Sequence, residues 1–194
     1  MSLFIQAFKF AAEPYFFSKM KNADAKQTYA DVMSVYTLFL LTIFIGVMAY
    51  LDILQYFVGS EFRSGLKVVP VLLLANLCLG IYYNLSVWYK VSDKTIYGAY
   101  ISGIGAMITL ILNYLLVPHL GYMGAAWTTL ICYFAIMVIC WAFGQKFYPV
   151  KYPIKRLSLY TLLALVLVGA IICNPVANIV LKLLINTALL LAFV

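Results

Sequence analysis

Two charged side chains interrupt an apolar stretch near the start of the chain, in the sequence FKFAAEPYFFSK at residues 8–19. Lys9 and Glu13 are four residues apart, so on a helix they share one face and are able to neutralise each other. Pro14 removes a backbone donor and kinks or breaks a helix. A carboxylate beside freed carbonyls predicts a cation or proton site, or a hinge. The alternative is a structural ion pair in which Lys9 extends its ammonium towards water.

Amide side chains recur in two apolar segments further along. Asn76, Gly80 and Asn84 are spaced every fourth residue, which aligns them on one face of a helix. Asn113 ends a similar line in the next segment, which also contains Gly98, Ser102, Gly105 and Thr109. Unpaired amides cost several kcal/mol each in hydrocarbon. These two lines therefore predict either hydrogen bonds between helices or a water-filled cavity.

Two further lines of polar or small residues lie closer to the C-terminus. One comprises Gly121, Gly124, Ala125, Thr128 and Cys132 and predicts close packing between helices, because small residues let backbones approach. The other places Lys182 with Asn178 and Asn186 in the last apolar segment. Lys182 is expected to extend towards the membrane boundary or to contact an anionic substrate.

The residue types required for catalysis or metal binding are poorly represented. His119 is the only histidine, and Cys78, Cys132, Cys140 and Cys173 all fall in apolar runs, which favours packing over metal ligation. The sequence offers no triad of a nucleophile with its base and no glycine-rich phosphate loop. We therefore expect neither an enzyme nor a bound cofactor.

The elements that carry these residues are predicted to cross a membrane. Of 194 residues, 66% are hydrophobic and 10% are charged, whereas soluble domains average about 45–50% and roughly 25%. A spanning helix needs about 20 apolar residues. On that basis the chain is predicted to be one all-α transmembrane domain, 1–194, with about seven helices. Their approximate ranges are 1–18, 32–54, 67–89, 95–117, 122–143, 156–173 and 177–194.

Basic residues are distributed unequally between the two sets of predicted loops. Nine of them fall in alternate loops: Lys19, Lys21, Lys26, Lys90, Lys94, Lys146, Lys151, Lys155 and Arg156. The opposite loops contain Arg63 and Lys67 beside Glu61, and otherwise His119. Because short cytoplasmic loops collect Lys and Arg, the sequence predicts an outside N-terminus and a cytoplasmic C-terminus. The net charge of +7 is then explained by topology and anionic lipids, without nucleic acid.

Three stretches resemble the C-terminal half of bacterial Wzx-type polysaccharide flippases, which belong to the multidrug/oligosaccharidyl-lipid/polysaccharide (MOP) superfamily. The stretches are FIQAFKFAAEPYFFSK, GLKVVPVLLLANLCLGIYYNLSVWYK and LILNYLLVPHLGYMGAAWTTLICY, and the resemblance covers about residues 1–160. In the third, an asparagine in an apolar helix precedes a short Pro–Gly turn and a Gly-Ala-Ala helix start. The residues that carry this pattern are Asn113, Pro118, Gly121, Gly124, Ala125 and Ala126.

The resemblance implies a fold of fourteen helices, in two six-helix lobes followed by two C-terminal helices, with both termini in the cytoplasm. Residues 1–155 would correspond to second-lobe helices of this MATE-like architecture, and residues 156–194 to the two additional helices. The first lobe and the opening helix of the second have no counterpart. We therefore expect the chain to be a fragment of a longer protein, the alternative being a truncated product that needs a partner.

The resemblance also implies a function in the bacterial cytoplasmic (inner) membrane. Such a flippase carries an O-antigen or capsule repeat unit, linked to undecaprenyl diphosphate, between the leaflets by alternating access. The implied partners are membrane lipids, the lipid-linked oligosaccharide, and the missing N-terminal half or glycan-assembly proteins of lipopolysaccharide biosynthesis. Candidate pathway residues are Lys9, Glu13, Asn76, Asn84, Asn113 and Lys182, with Pro14 in a conformational role. The alternatives are a MATE-like exporter of small molecules and a truncated membrane protein that does not transport.

Overall fold

The computed structural model describes residues 1–22, 24–173 and 179–193, and within those ranges it contains helices and turns but no strand. The α-helices are α1 (Ser2–Lys19), α2 (Ala25–Ala49), α3 (Leu51–Leu54), α4 (Val69–Leu85), α5 (Val87–Val91), α6 (Ile96–Leu120), α7 (Tyr122–Phe147), α8 (Ile154–Ile172) and α9 (Ile179–Phe193). Two 3₁₀ helices, Gln55–Phe57 and Ser60–Val68, connect α3 to α4. The predicted all-α fold is confirmed.

Five helical stretches in the described ranges are long and apolar enough to cross a membrane. They are Ala25–Ala49, Gly65–Val91, Ile96–Leu120, Tyr122–Phe147 and Ile154–Ile172. The two remaining predicted spans correspond to α1, which carries Lys9, Glu13 and Lys19, and to α9, which has 15 residues. The chain is therefore a multi-pass membrane protein, with five candidate spans among the described residues.

Two helix boundaries differ from the sequence prediction for identifiable reasons. The helix α2 starts at Ala25 and not near residue 32. Its first turns are polar, but Ala25 and Tyr29 within them pack in a buried cluster with Phe16 of α1. The helix α6 continues through Pro118 to Leu120 and ends at Gly121, whose φ of +56° lies in the left-handed region that favours glycine. Apolarity alone marks the lipid-embedded part of a helix and not its ends.

The helices α6 and α7 pack closely through small residues. A Cβ atom added at Gly124 would lie 2.6 Å from the backbone carbonyl oxygen of Leu116, so only glycine fits there. Further along the same contact, the Cys132 thiol donates to the Gly105 carbonyl over 3.3 Å. The predicted close packing of the line Gly121–Cys132 is confirmed for this pair of helices.

The helix α2 is central and α6 is peripheral. Leu40, Leu41 and Ile45 of α2 are fully buried among side chains of α1, α4 and α8. By contrast, α6 exposes Met107, Leu110 and Tyr114 over more than half of their surface. In a membrane such a face contacts lipid tails, for which apolar side chains are the suitable surface.

Three of the basic loops meet at one end of the bundle, which we call the basic end. Lys26 lies 4.9 Å from the centre of the Tyr148 ring, and Lys94 lies 4.3 Å from that of Phe147. The turn after α1, the turn after α5 and the loop after α7 are therefore neighbours. Their placement at one end agrees with the predicted pattern of alternate loops.

Candidate functional site

Polar side chains of α1 contact α4 and α5 along most of the length of α1. The Ser2 hydroxyl donates to Asn76 Oδ1 over 3.2 Å, and Lys9 Nζ lies 5.1 Å from the centre of the Tyr83 ring. Near the basic end, Lys90 Nζ lies 2.5 Å from Glu13 Oε1. We call this set the α1 seam: Ser2, Lys9 and Glu13 with Asn76, Tyr83 and Lys90. Residue numbers increase together on both sides, so α1 runs parallel to α4 and α5.

The partner of Glu13 differs from the predicted one. The i, i+4 spacing correctly places Lys9 and Glu13 on one face of α1, but the carboxylate pairs with Lys90 of α5 while Lys9 stands over Tyr83. Pro14 lies inside α1, and the helix continues five residues beyond it to Lys19. Pro14 therefore does not break the helix.

The ion pair of the α1 seam remains accessible. The Lys90 and Glu13 side chains are 22% and 33% exposed. Partial burial weakens solvent screening relative to a surface pair, without isolating either charge from incoming ions. Part of each side chain therefore remains open to the surroundings of the bundle.

Lys9 carries a charge that no carboxylate neutralises in the part of the chain that the structure describes, where the ion pairs are those of Glu13 and Asp52. Its contact with the face of Tyr83 is a cation–π interaction, worth about 0.5–1 kcal/mol when exposed and about 2 kcal/mol when desolvated. An ammonium held by a ring keeps its donors free for an anion.

The two asparagines of α4 have different environments. Asn76 donates to the Leu72 carbonyl over 2.7 Å and accepts from Ser2, so it joins helices by hydrogen bonds. Asn84 is 1% exposed, and neither of its amide atoms has a hydrogen-bond partner among the described residues. The predicted hydrogen bond between helices is therefore present at Asn76, and Asn84 forms no such bond among the described residues.

Further unsatisfied hydroxyls lie on α2, the helix that packs against this part of α4. Tyr36 Oη and Thr37 Oγ1 are buried without a partner among the described residues. A Cβ at Gly80 would lie 3.3 Å from Tyr36 Oη, which places this hydroxyl against α4. Asn84 lies one turn beyond Gly80 on the same face. The contact between α2 and α4 thus contains polar groups with spare hydrogen-bonding capacity.

Asn113 lies apart from the α1 seam, on α6, where its Oδ1 is buried without a partner in the described chain.

Lys182 lies apart as well, and its Nζ is 2.6 Å from Asp52 Oδ2 at the end opposite the basic end. Asn186 donates to the Ala49 carbonyl over 3.0 Å, and Thr187 and Tyr50 share a hydrogen bond of 2.9 Å. We call these contacts of α9 with residues 49–52 the α9 anchor. Asn178 lies outside the described residues.

Sequence reasoning missed the residues that complete these contacts. The sequence predicts Lys90 only as a loop charge, and it singles out neither Tyr83 nor Asp52 as a candidate. A charge on one helix indicates that a counter-charge exists, but the choice of partner depends on which helices are neighbours. No local signal in the sequence identifies Lys90 as the partner of Glu13.

The α1 seam brings together groups that bind ions of both signs. The ammonium groups of Lys9 and Lys90 are suited to phosphate or carboxylate, and the Glu13 carboxylate to a proton or metal cation. No family model, curated protein or solved structure matches the chain.

Proposed function

We propose that the chain is the C-terminal part of a bacterial inner-membrane flippase, which carries an oligosaccharide linked to a polyprenyl diphosphate between leaflets by alternating access. The three stretches that resemble Wzx-type flippases support the class of substrate. The observation that carries the proposal is the α1 seam, a partly exposed ion pair next to an unneutralised lysine within a multi-pass bundle. Ionisable residues at membrane depth are costly and are kept mainly for function.

In this proposal the substrate diphosphate approaches Lys9 first, since its ammonium has no competing carboxylate. Lys90 then exchanges Glu13 for a phosphate oxygen, because both are anionic acceptors for the same donor. The carboxylate released by this exchange binds a proton or a sodium ion, and so couples the substrate to an ion gradient. The unsatisfied groups around Asn84 offer hydrogen bonds to the sugar part of the substrate.

The basic end faces the cytoplasm in this proposal, in keeping with the distribution of Lys and Arg among the loops. A site formed between two lobes also requires a second lobe, either in a longer chain or in a partner. A C-terminal tag at the chromosomal locus and a blot of the membrane fraction measure the native size. A band more than twice the size of this 194-residue chain supports a two-lobe protein. A band at its own size means that a partner must be identified.

The test of function is complementation of a deletion strain, in which lipid-linked repeat units accumulate at the inner leaflet. We expect the native protein to clear them, and Glu13→Gln and Glu13→Ala to reduce clearance by about tenfold or more, in the range typical of coupled sites. Asp52→Asn, which removes the acid of the other ion pair, is the matched control and should clear normally. Normal clearance by both Glu13 variants would remove Glu13 from the mechanism. If the deletion strain accumulates no lipid-linked repeat units, the proposal that the protein is a flippase is wrong.

A further inference from the structure

A cavity of about 380 Å³ opens between the first turns of α2 and of α8, at the basic end. One wall consists of Gln27, Asp31 and Ser34 of α2, and the other of Lys151, Arg156 and Tyr160. Val35, Leu38 and Leu157 form the apolar part of its lining. Its volume falls within the range of small-ligand sites, about 300–1,000 Å³. None of these residues belongs to the α1 seam.

Opposite charges face each other across this cavity without contact. The ion pairs among the described residues are those of Glu13 and Asp52, so Asp31 forms none with Lys151 or Arg156. The Asp31 carboxylate instead accepts from Gln27 Nε2 over 2.9 Å. A space with bases on one wall and an acid on the other is complementary to a dipolar group with separated charges. A simple anion would meet repulsion from Asp31.

An apolar cleft continues from the cavity along α2. Its lining includes Phe8 of α1 with Val32, Tyr36 and Phe39, and it shares Asp31 and Val35 with the charged cavity. Val35 is 69% exposed and Phe39 is 47% exposed, on a helix long and apolar enough to span a membrane. A ligand with a dipolar head and a long apolar tail therefore matches both parts.

We infer that this cavity binds the headgroup of a zwitterionic aminophospholipid, of the phosphatidylethanolamine type. Lys151, Arg156 and the Tyr160 hydroxyl receive the phosphate, and Asp31 accepts from the primary ammonium. An acyl chain follows the cleft along Val35 and Phe39. The ammonium matters because its N–H groups are donors, whereas the trimethylated amine of a choline lipid has none. The inference does not depend on transport. A lipid bound between α2 and α8 fixes the position of one helix against the other whether or not the chain carries a substrate.

Native mass spectrometry of the full purified chain in detergent tests the site, with an equimolar mixture of phosphatidylethanolamine, phosphatidylglycerol and phosphatidylcholine of identical acyl chains. We expect preferential retention of the ethanolamine lipid. The double substitution Lys151→Gln/Arg156→Gln should lower its affinity roughly thirtyfold, since each base near a lipid phosphate contributes about 1 kcal/mol. Asp31→Asn should lower the affinity for the ethanolamine lipid about fivefold and raise that for phosphatidylglycerol.

The matched control is Lys21→Gln/Lys155→Gln, which removes the same charge from exposed positions at the same end but outside the cavity lining. It should leave all three affinities within about twofold of the native values. Equal retention of the three lipids, or an equal loss of affinity in both double variants, would contradict a specific site. It would mean that basic residues all around this end attract lipid headgroups without a defined cavity. Displacement of the lipid by soluble phosphoethanolamine at the same concentration would overturn the lipid in favour of a free phosphorylated amine.

Discussion

The helices α1 and α9 lie at the two ends of the chain, and an ion pair joins each of them to a short helix, α1 to α5 and α9 to α3. The pair of α1 is Glu13 with Lys90, at the basic end, and that of α9 is Lys182 with Asp52, at the opposite end. Neither helix is among the five candidate spans, α1 because it carries three charged residues and α9 because only 15 of its residues are described as helix. An ion pair joins each of the two helices to the bundle, but the surroundings of the two pairs differ.

The polar contacts of α9 are concentrated at one point, where the buried Asn186 Oδ1 is left without a partner among the described residues. Asn186, Thr187 and Lys182 all contact residues 49–52, where α2 ends and its last carbonyls lack partners within the helix. The polar groups of α1 are instead spread along the helix, and Lys9 keeps its charge. We infer that the α9 anchor holds the fold together, whereas the α1 seam retains binding capacity.

Reversing each ion pair gives the largest contrast that this comparison predicts. We expect the double variant Glu13→Lys/Lys90→Glu to clear lipid-linked intermediates about tenfold less well than the native chain, because the phosphate-binding ammonium moves to another helix. Asp52→Lys/Lys182→Asp should clear them within about twofold, since a structural pair tolerates exchange of its partners. The measurement is the export assay, normalised to the amount of folded protein in the membrane.

The reversed pairs also show whether the two ion pairs have different roles, one in transport and one in structure. Full export by the reversed seam would mean that Glu13 and Lys90 are only a structural link, like the α9 anchor. A loss of export in the reversed anchor, at a normal amount of folded protein, would place Lys182 and Asp52 on the transport route. Either result removes the distinction between the two helices.

The second prediction concerns the amide that joins α9 to α2. Asn186 is 1% exposed and donates to the Ala49 carbonyl. We expect Asn186→Ala to lower the free energy of unfolding by about 1–2 kcal/mol, because it leaves a buried carbonyl without a donor. Unfolding of the purified chain in mixed micelles with increasing SDS measures this change.

Asn22→Ala is the control for this substitution, because Asn22 is exposed in the turn after α1. It should alter the free energy of unfolding by less than about 0.5 kcal/mol. Equal stability of Asn186→Ala and the native chain would mean that α9 is held by apolar contacts alone. Export per folded molecule should remain normal in both variants.

Some of this organisation was predictable from sequence and some was not. Apolar runs of spanning length identified the five candidate spans, because the bilayer imposes length and composition on each span separately. The line from Gly121 to Cys132 predicted the close contact of α6 with α7, since small residues favour it irrespective of the partner. The polar turns of α2 before residue 32 were missed because they carry no apolar signal.

The ion pairs were beyond sequence reasoning for a different reason. Lys9 is the nearest base to Glu13 on the same helix face, yet Lys90 is its partner, because α5 lies beside α1 in the bundle. Lys182 and Asp52 are likewise distant in sequence. Which helices are neighbours is decided by the packing of all of them together, so a pattern within one segment identifies the charge but not its contact.

The smallest expected effect belongs to Lys182→Gln. Its side chain is 25% exposed and that of Asp52 is 39% exposed, so solvent screens the pair and it contributes at most about 1 kcal/mol to the free energy of unfolding. That contribution should shrink further in 1 M salt, where the screening length is only about 3 Å. Unfolding in detergent at low and high salt measures both values. Glu13→Gln should have a similarly small effect on stability, because its pair is only partly buried, and differ from Lys182→Gln in export alone. A fall in export for Lys182→Gln that exceeds its loss of folded protein would contradict the structural role of the α9 anchor.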